Sequence, residues 1–353
     1  MSASTRIARG VACLGISLAL AGLGACSSDH SDAGDGKATT VTLLVHDSFA
    51  LPDAIKADFE KKTGLTLNIV SGESGQKLVS KLVLTKDAPV ADVVYGFTQA
   101  TSGELAAHDI LTDSAPTQIP GGEAYALEDL PGAVPIDRGD VCVNIDTAYF
   151  DKNSLARPAT LEDLTKSEYR DLTVTPDPAQ GETGLAFFYA TIAHNPNGWQ
   201  EYWKSLKDNG LEIVAGWSEA YEQEFSANGG KRPIVVSYAT SPAATMNEER
   251  TSASTISLPA TCFAQTEYAG ILKGSPNEEA AAKVIEWLAS EQTQAAIPES
   301  MYMYPVRKDT PLPAGWAEFA PAPDPSVTKT LPPADIRTHR EGWLRELQAL
   351  LGR

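Results

Sequence analysis

The stretch 41-VTLLVHDSFALPDAIKADFEKKTGLTLNIV-70 sets the pattern in which the rest of the chain is read. Residues 41–46 form a short apolar run of strand length, and residues 52–62 then space Ile55, Phe59 and Lys62 at helical intervals until Gly64 breaks the period. A second strand is expected over 65–70, a second helix over 76–84 and a third strand over 91–95. Strands separated by helices cannot close as hairpins, so this β-α-β-α-β start predicts an α/β protein with a mostly parallel sheet.

A Pro- and Gly-rich passage over 116–135 interrupts the alternation, and from Val141 a new unit begins. It carries segments at 160–166, 172–174, 184–194 and 198–207, and further strands at 212–215, 233–238 and 263–268. The strongest remaining helices are 278–291 and 333–351, the latter with Ile336, Trp343, Leu344, Leu347 and Leu351 on a broad apolar face. The length of 353 residues also suits two units. The expected division is one lobe from 41–138 together with 269–353, and a second from 139–268.

The composition narrows the function. With 46 acidic against 28 basic residues, the net charge is −18, and no concentrated basic patch is visible, which argues against a nucleic-acid binder and suits a cationic ligand. At the amino terminus, Arg6 and Arg9 precede an apolar run over 11–23 and then small residues, the three regions of an export signal. The run is shorter than the roughly 20 apolar residues of a membrane helix. The segment Leu23-Gly24-Ala25-Cys26 resembles a bacterial lipobox, so residues 1–25 are expected to be a lipoprotein signal peptide, Cys26 the lipid-modified residue and 26–40 a flexible tether. The expected location is the outer face of the bacterial cell membrane. In that oxidising setting Cys142 and Cys262 are a candidate disulfide, with two buried free thiols as the alternative.

Signatures of catalysis are weak. Gly216-Trp217-Ser218-Glu219-Ala220 lacks the second glycine of a nucleophile elbow, and His30, His46, His108, His194 and His339 are scattered and read as surface or capping residues. Nothing matches a zinc-protease helix or a P-loop, the pair Glu278-Glu279 is explained by a helix dipole, and no metal or cofactor is expected. The aromatic residues are more telling. Trp217, Tyr221, Tyr238, Tyr302 and Tyr304 stand in loops beside Gly, Ser, Thr or Pro, which favours the wall of a ligand site. Aromatic faces stack on a heteroaromatic ring and attract a cation, each contact contributing roughly 0.5–2 kcal/mol.

An exported, tethered chain of two α/β units resembles the two-lobed solute-binding proteins of bacterial importers. Four blocks, in order, make the resemblance specific: His46-Asp47-Ser48-Phe49-Ala50; Gly216-Trp217-Ser218-Glu219-Ala220-Tyr221; Ser237-Tyr238-Ala239-Thr240-Ser241-Pro242; and Ala296-Ile297-Pro298 with Met303-Tyr304-Pro305-Val306. They look like the thiamine-binding branch of that family, over roughly residue 41 to the carboxyl terminus. The resemblance implies a group II periplasmic-binding-protein-like fold, a cleft between lobes that holds thiamine or its phosphates, and delivery by a monomer to an ABC permease and its ATPase.

Carried over by position, the resemblance implies ligand contacts at the turn Ser74-Gly75, the turn Gly181-Glu182, Trp217, the run Tyr238-Ala239-Thr240-Ser241 and Tyr302, with Asp47 as the candidate acidic partner. The chain departs from the family pattern at His46, where that pattern has Tyr, at Tyr302, where it has Trp, and at Glu182, near which it has small hydroxyl residues. A carboxylate there would repel a phosphate and favour the bare thiazolium cation. Two other readings share the scaffold. A thiamine-degrading transferase would need a free cysteine nucleophile, and a ferric-ion carrier resembling this fold would use adjacent tyrosines, whereas Tyr302 and Tyr304 alternate.

Overall fold

In the computed structural model, which describes residues 39–72, 75–324 and 326–353, the chain forms two sheets that it passes between twice. The expected signal peptide, Cys26, Ser74 and nearly all of the tether lie outside the described residues. The first half runs β1 (Thr40–Val45), α1 (Asp53–Thr63), β2 (Thr66–Ser71), α2 (Gly75–Leu84), β3 (Val93–Thr98), α3 (Ser102–Ala107) and β4 (Val134–Arg138). The second unit contains β5 (Val141–Asp146), α4 (Thr147–Lys152), β6 (Thr173–Pro176), α5 (Glu182–His194), α6 (Trp199–Asp208), β7 (Glu212–Val214), β8 (Ile234–Tyr238) and β9 (Thr255–Phe263). The chain then returns through β10 (Thr266–Ile271), α7 (Glu278–Leu288), α8 (Glu291–Met301), β11 (Tyr304–Pro305), α9 (Trp316–Phe319) and α10 (Pro333–Leu351).

The opening stretch behaves as its periodicity demands. Helix α1 buries Ile55 and Phe59 and ends where Gly64 turns left-handed at φ 70°, its amide donating to the Glu60 carbonyl at 2.9 Å. Strand β1 sends Val41, Leu43 and Val45 into one apolar cluster and Leu44 into another, so helices cover both faces of the sheet. Strand β3 is buried along its whole length, which is why it reads as an apolar run.

The first sheet has the order β11-β4-β10-β3-β1-β2. Its β2-β1-β3 part is parallel, as expected, but β10 enters antiparallel to β3 and β4, and β11 is antiparallel to β4. The sheet is therefore mixed rather than mostly parallel, because the chain comes back from the other unit into its middle. The second sheet has the order β7-β6-β8-β5-β9. Its main core is built on α5, whose Leu185, Phe187, Phe188, Tyr189 and Ile192 are all buried, packed against Trp199 and Trp203 of α6. The buried Trp203 indole donates to Thr191 Oγ1 at 2.9 Å, so its own N–H is not lost on burial.

The two passages between sheets, β4 to β5 and β9 to β10, run side by side because β4 pairs with β10 and β5 with β9. Gly139 N donates to the Gln265 carbonyl at 3.0 Å. Gln99 clamps the same place, donating from Nε2 to the Ala264 carbonyl and accepting from Thr266 N at 3.0 Å. The single strand expected over 263–268 is thus two strands, since residues 264 and 265 leave one ladder before 266 joins the next, and residues 266–268 pair in the first sheet. Strand β9 escaped prediction because Pro259 breaks its apolar alternation, a break tolerated at the sheet edge where β9 lies.

Two helices also differ from expectation. The helix expected over 278–291 stops at Leu288, and a new helix starts after Ser290, whose side chain caps it by accepting from Thr293 N. Helix α10, placed with the first lobe by sequence order, lays Ile336 and Leu347 into the core of the second unit, where Trp343 meets Tyr189 edge-on at 6.2 Å. It also touches α3, so it straddles both units.

Cys142 and Cys262 are bonded across the β5/β9 pair, with Cα atoms 4.1 Å apart, and both are fully buried next to the passages. The bond closes a loop spanning 120 positions. Replacing both residues by alanine should lower stability by about 2–5 kcal/mol, measured by denaturant unfolding. Mass spectrometry of unreduced, proteolysed protein should find the two cysteine peptides joined; finding both alkylated and separate would contradict the bond.

Candidate functional site

A cleft of ≈ 1150 Å³ lies between the two sheets. It is built from element ends: the turn after β1, the first residues of α2 and α5, the segment after β7, the end of β8, β10 and the segment after α8. These are the places where backbone groups are free of their own ladders or helices.

One wall is aromatic. Trp217 stacks on Tyr221 with centroids 5.0 Å apart and planes 12° apart, and Tyr238 stands 6.2 Å from Trp217 at 51°. The indole Nε1 donates to Ser237 Oγ at 2.8 Å, Ser237 Oγ lies 2.7 Å from Ser241 Oγ, and Tyr221 OH donates to the Ser241 carbonyl. The polar edges are thereby tied back to β8 and the loop after it, while the half-buried Trp217 ring borders the cleft. Tyr221 lies in a π-helical turn, Glu219–Glu224, that begins two residues after Trp217 and closes with Phe225 N reaching back to the Ala220 carbonyl at 3.0 Å.

Other lining residues are acidic. Glu267 projects from β10 and accepts from Tyr95 OH at 2.9 Å, with His46 Nε2 at 3.2 Å. Tyr95 OH is also hydrogen-bonded to Asp137. Tyr95 has one hydrogen for two carboxyl groups, and the electrostatics separate them. Burial and the neighbouring Glu267 push Asp137 well above the usual carboxylate range, so it keeps its proton. Burial works against an ionised Glu267 too, but His46 and the two hydrogen bonds outweigh it and hold Glu267 below its ordinary value. The His46 ring gains correspondingly: burial opposes its charge, Glu267 more than offsets that, and its pKa is raised. Gly96, at φ 97° in β3, leaves the space that the His46 ring occupies; a Cβ there would collide with the ring.

Glu182, the first residue of α5, is pushed by burial to about 7, against the opposing influence of Arg340 and of the hydrogen bond from Thr98 Oγ1 at 3.2 Å. Asp47 also borders the cleft, exposed at the end of the turn after β1. A cleft bordered by neutral aromatic rings and several carboxylates is suited to an aromatic or heteroaromatic cation.

Of the residues expected at the site, Asp47, Gly75, Gly181, Glu182, Trp217, Tyr238, Thr240, Ser241 and Tyr302 border this cleft. Ala239 does not: it is buried in the small cluster around the Cys142–Cys262 bond. Ser74 lies outside the described residues. Tyr302 is 43% exposed at the rim, whereas Tyr304, expected in the ligand wall, is buried and donates to the Ala320 and Pro321 carbonyls. Sequence reasoning overlooked Glu267 and read His46 as a surface or capping group. The available signal was the acidic residue inside the apolar strand TEYAGI, since an ionised side chain rarely enters a buried strand without a partner. Among the described residues no group of three or more His, Cys, Asp or Glu side chains could hold a metal ion.

Comparison with known proteins agrees with this architecture. The thiamine-binding periplasmic protein of Salmonella typhimurium is 28% identical over 328 residues, covering 89% of this chain and 94% of that protein. A solved periplasmic thiamin binding protein superposes with a TM-score of 0.75 at 27% identity, covering 91% of this chain and 98% of that one. The iron-bound HitA of Pseudomonas aeruginosa superposes with a TM-score of 0.70 at 20% identity, over 88% of this chain and 99% of its own, which shows a shared fold. The family described as bacterial extracellular solute-binding protein matches residues 54–323, and the chain belongs to it.

Proposed function

We propose that this protein is the ligand-capturing component of an ABC importer and that its ligand is thiamine. The observation that carries the reading is that the aromatic rings of Trp217, Tyr221 and Tyr238 and the carboxyl groups of Glu267, Glu182 and Asp47 border one cleft. Thiamine joins an aminopyrimidine ring to a permanently cationic thiazolium, so one molecule uses both the stacking faces and the carboxylates. The relatives named for thiamine binding support the same choice.

Binding rather than chemistry is the role. The cysteines that a thiamine-degrading transferase would need as nucleophiles at 142 and 262 are joined to each other. A ferric carrier resembling this fold would use adjacent tyrosines, whereas in this cleft Tyr302 stacks on Trp316 with centroids 6.4 Å apart and Tyr221 OH donates to the Ser241 carbonyl. In this reading the ligand needs no cofactor, the protein acts as a monomer, and a membrane permease with its ATPase receives the cargo. Attachment is by lipid on Cys26, with the segment up to residue 40 as tether; among the described residues no helix is long and apolar enough to cross a membrane.

Three outcomes follow for the exported protein. Removing the Trp217 ring by Trp217→Ala should cost about 1–3 kcal/mol of binding, roughly tenfold to a hundredfold in Kd, with folding nearly unchanged; calorimetry beside a thermal melt separates the two. No heat and no tryptophan quenching with thiamine at millimolar concentration would rule the ligand out. Affinity should also rise with pH. A cation entering beside His46 disfavours the protonated ring, whose pKa is raised, and ionisation of Glu182 near 7 adds attraction, so both groups act in the same direction as the pH rises. The expected gain is roughly threefold to tenfold, and His46→Gln should flatten part of it; an affinity that falls with pH contradicts this account. Finally, Cys26→Ser should move the protein from the membrane fraction to the soluble fraction with ligand binding intact, and unchanged membrane association would count against lipid attachment.

A further inference from the structure

Glu182 belongs to the second unit, yet its carboxyl group is seated in the first. Its Oε2 accepts from Thr98 Oγ1 of β3 at 3.2 Å, and a Cβ built on Gly75, at the start of α2, would lie 2.9 Å from Glu182 Cγ and Oε1. Glu182 is also the first residue of α5, which follows Gly181 without any side-chain cap. The carboxylate thus occupies the space between the beginnings of two helices of 10 and 13 residues. Helix beginnings present unpaired N–H groups and partial positive charge, the environment in which a phosphate is ordinarily held. Behind the same place stands Arg340 of α10, whose Nη2 donates to Gln76 Oε1 at 3.0 Å and whose charge acts on Glu182. Glu182 Oε1 is shielded from solvent and has no hydrogen-bond partner among the described residues, so a negatively charged acceptor is present there without the full set of donors a carboxylate can take.

We propose that Glu182 is a specificity-determining residue: its carboxylate is the protein's own anion in the space where a ligand phosphate would sit, so the cleft takes the unphosphorylated cation and rejects its phosphate esters. This rests on the thiamine reading of the cleft. The physical basis is a competition for one positive pocket. With Glu182 in place, an incoming phosphate meets a like charge and finds the helix beginnings already covered. With the carboxylate neutralised, the two helix beginnings would be left facing the cleft, with Arg340 behind them, without a counter-charge, and a phosphate would supply it. The same seating joins the two units directly across the cleft, so the residue that refuses the phosphate also helps to bring the walls together around a ligand that lacks one.

The test is calorimetry at pH 8, where Glu182 is chiefly ionised, of ligand-free protein with thiamine, thiamine monophosphate and thiamine diphosphate, for wild type, Glu182→Gln and Glu182→Ser, each checked for folding by circular dichroism. Wild type should prefer thiamine over either phosphate by about tenfold or more in Kd, and both variants should reduce that preference by about tenfold or more, chiefly through tighter phosphate binding. A wild type that binds the phosphates as tightly as thiamine overturns the proposal whatever the variants do. So does a preference that survives in a folded variant, while the thiamine reading stands in both cases. Absence of binding to all three compounds removes the thiamine reading itself and this inference with it, which keeps the two failures apart.

Discussion

Everything in this molecule depends on the chain crossing between its sheets twice in the same place. The antiparallel pairing of β4 with β10 and of β5 with β9 forces the two crossings together, and the Gly139–Gln265 hydrogen bond and the two bonds of Gln99 hold them in register. Because one crossing is outgoing and the other returning, both units are composite in sequence and the cleft between them is lined by segments from position 46 to position 303. The disulfide lies just to one side of this junction, where it limits how far the paired strands of the second sheet can part. Asp140 sits in the junction too, raised to about 6 by burial, with Arg138 and the Gln265 amide opposing.

The cleft's two characters come from different structural sources. Its aromatic side depends on local turns: a π-helical turn that begins two residues after Trp217 carries Tyr221, on which the indole stacks, and hydroxyl groups of Ser237 and Ser241 take up the polar edge of the indole. Its acidic side depends on the sheet. Asp137, Tyr95 and Glu267 stand on three strands and His46 on the turn after β1, and the two carboxyl groups part because burial and Glu267 raise Asp137 while His46 and Tyr95 hold Glu267 down. A buried ionised carboxylate is costly alone, and here His46 and Tyr95 offset that cost while leaving negative charge facing the cleft.

Helix α10 adds a constraint from outside. It is anchored in the second unit by Ile336 and Leu347, its Arg337 is paired with Asp129, and its Arg340 reaches α2 through Gln76. The carboxyl-terminal segment therefore bears on the same helix beginning that Glu182 covers from the cleft, so charge on α10 and charge in the ligand space are electrostatically linked.

By itself, the sequence determined the α/β class, the position of most helices and of the parallel strands, the aromatic loops and Cys142 with Cys262 as the candidate disulfide pair, which the structure then joined. Each of these is a local or compositional property: a hydrophobic period, a helix-ending glycine, an even cysteine pair in an exported chain. What only the tertiary structure decided is non-local. The period of 263–268 cannot reveal that the chain changes sheets at 264–265, because both strands it joins are apolar, and Pro259 hides β9 from any alternation rule. Tyr304 and Ala239 read like their neighbours in sequence but point into packed interior. Glu267 and Glu182 acquire their roles only when strands and helix beginnings from distant positions converge, since the charge state of a carboxyl group is set by what surrounds it in space and not by the residues beside it in the chain.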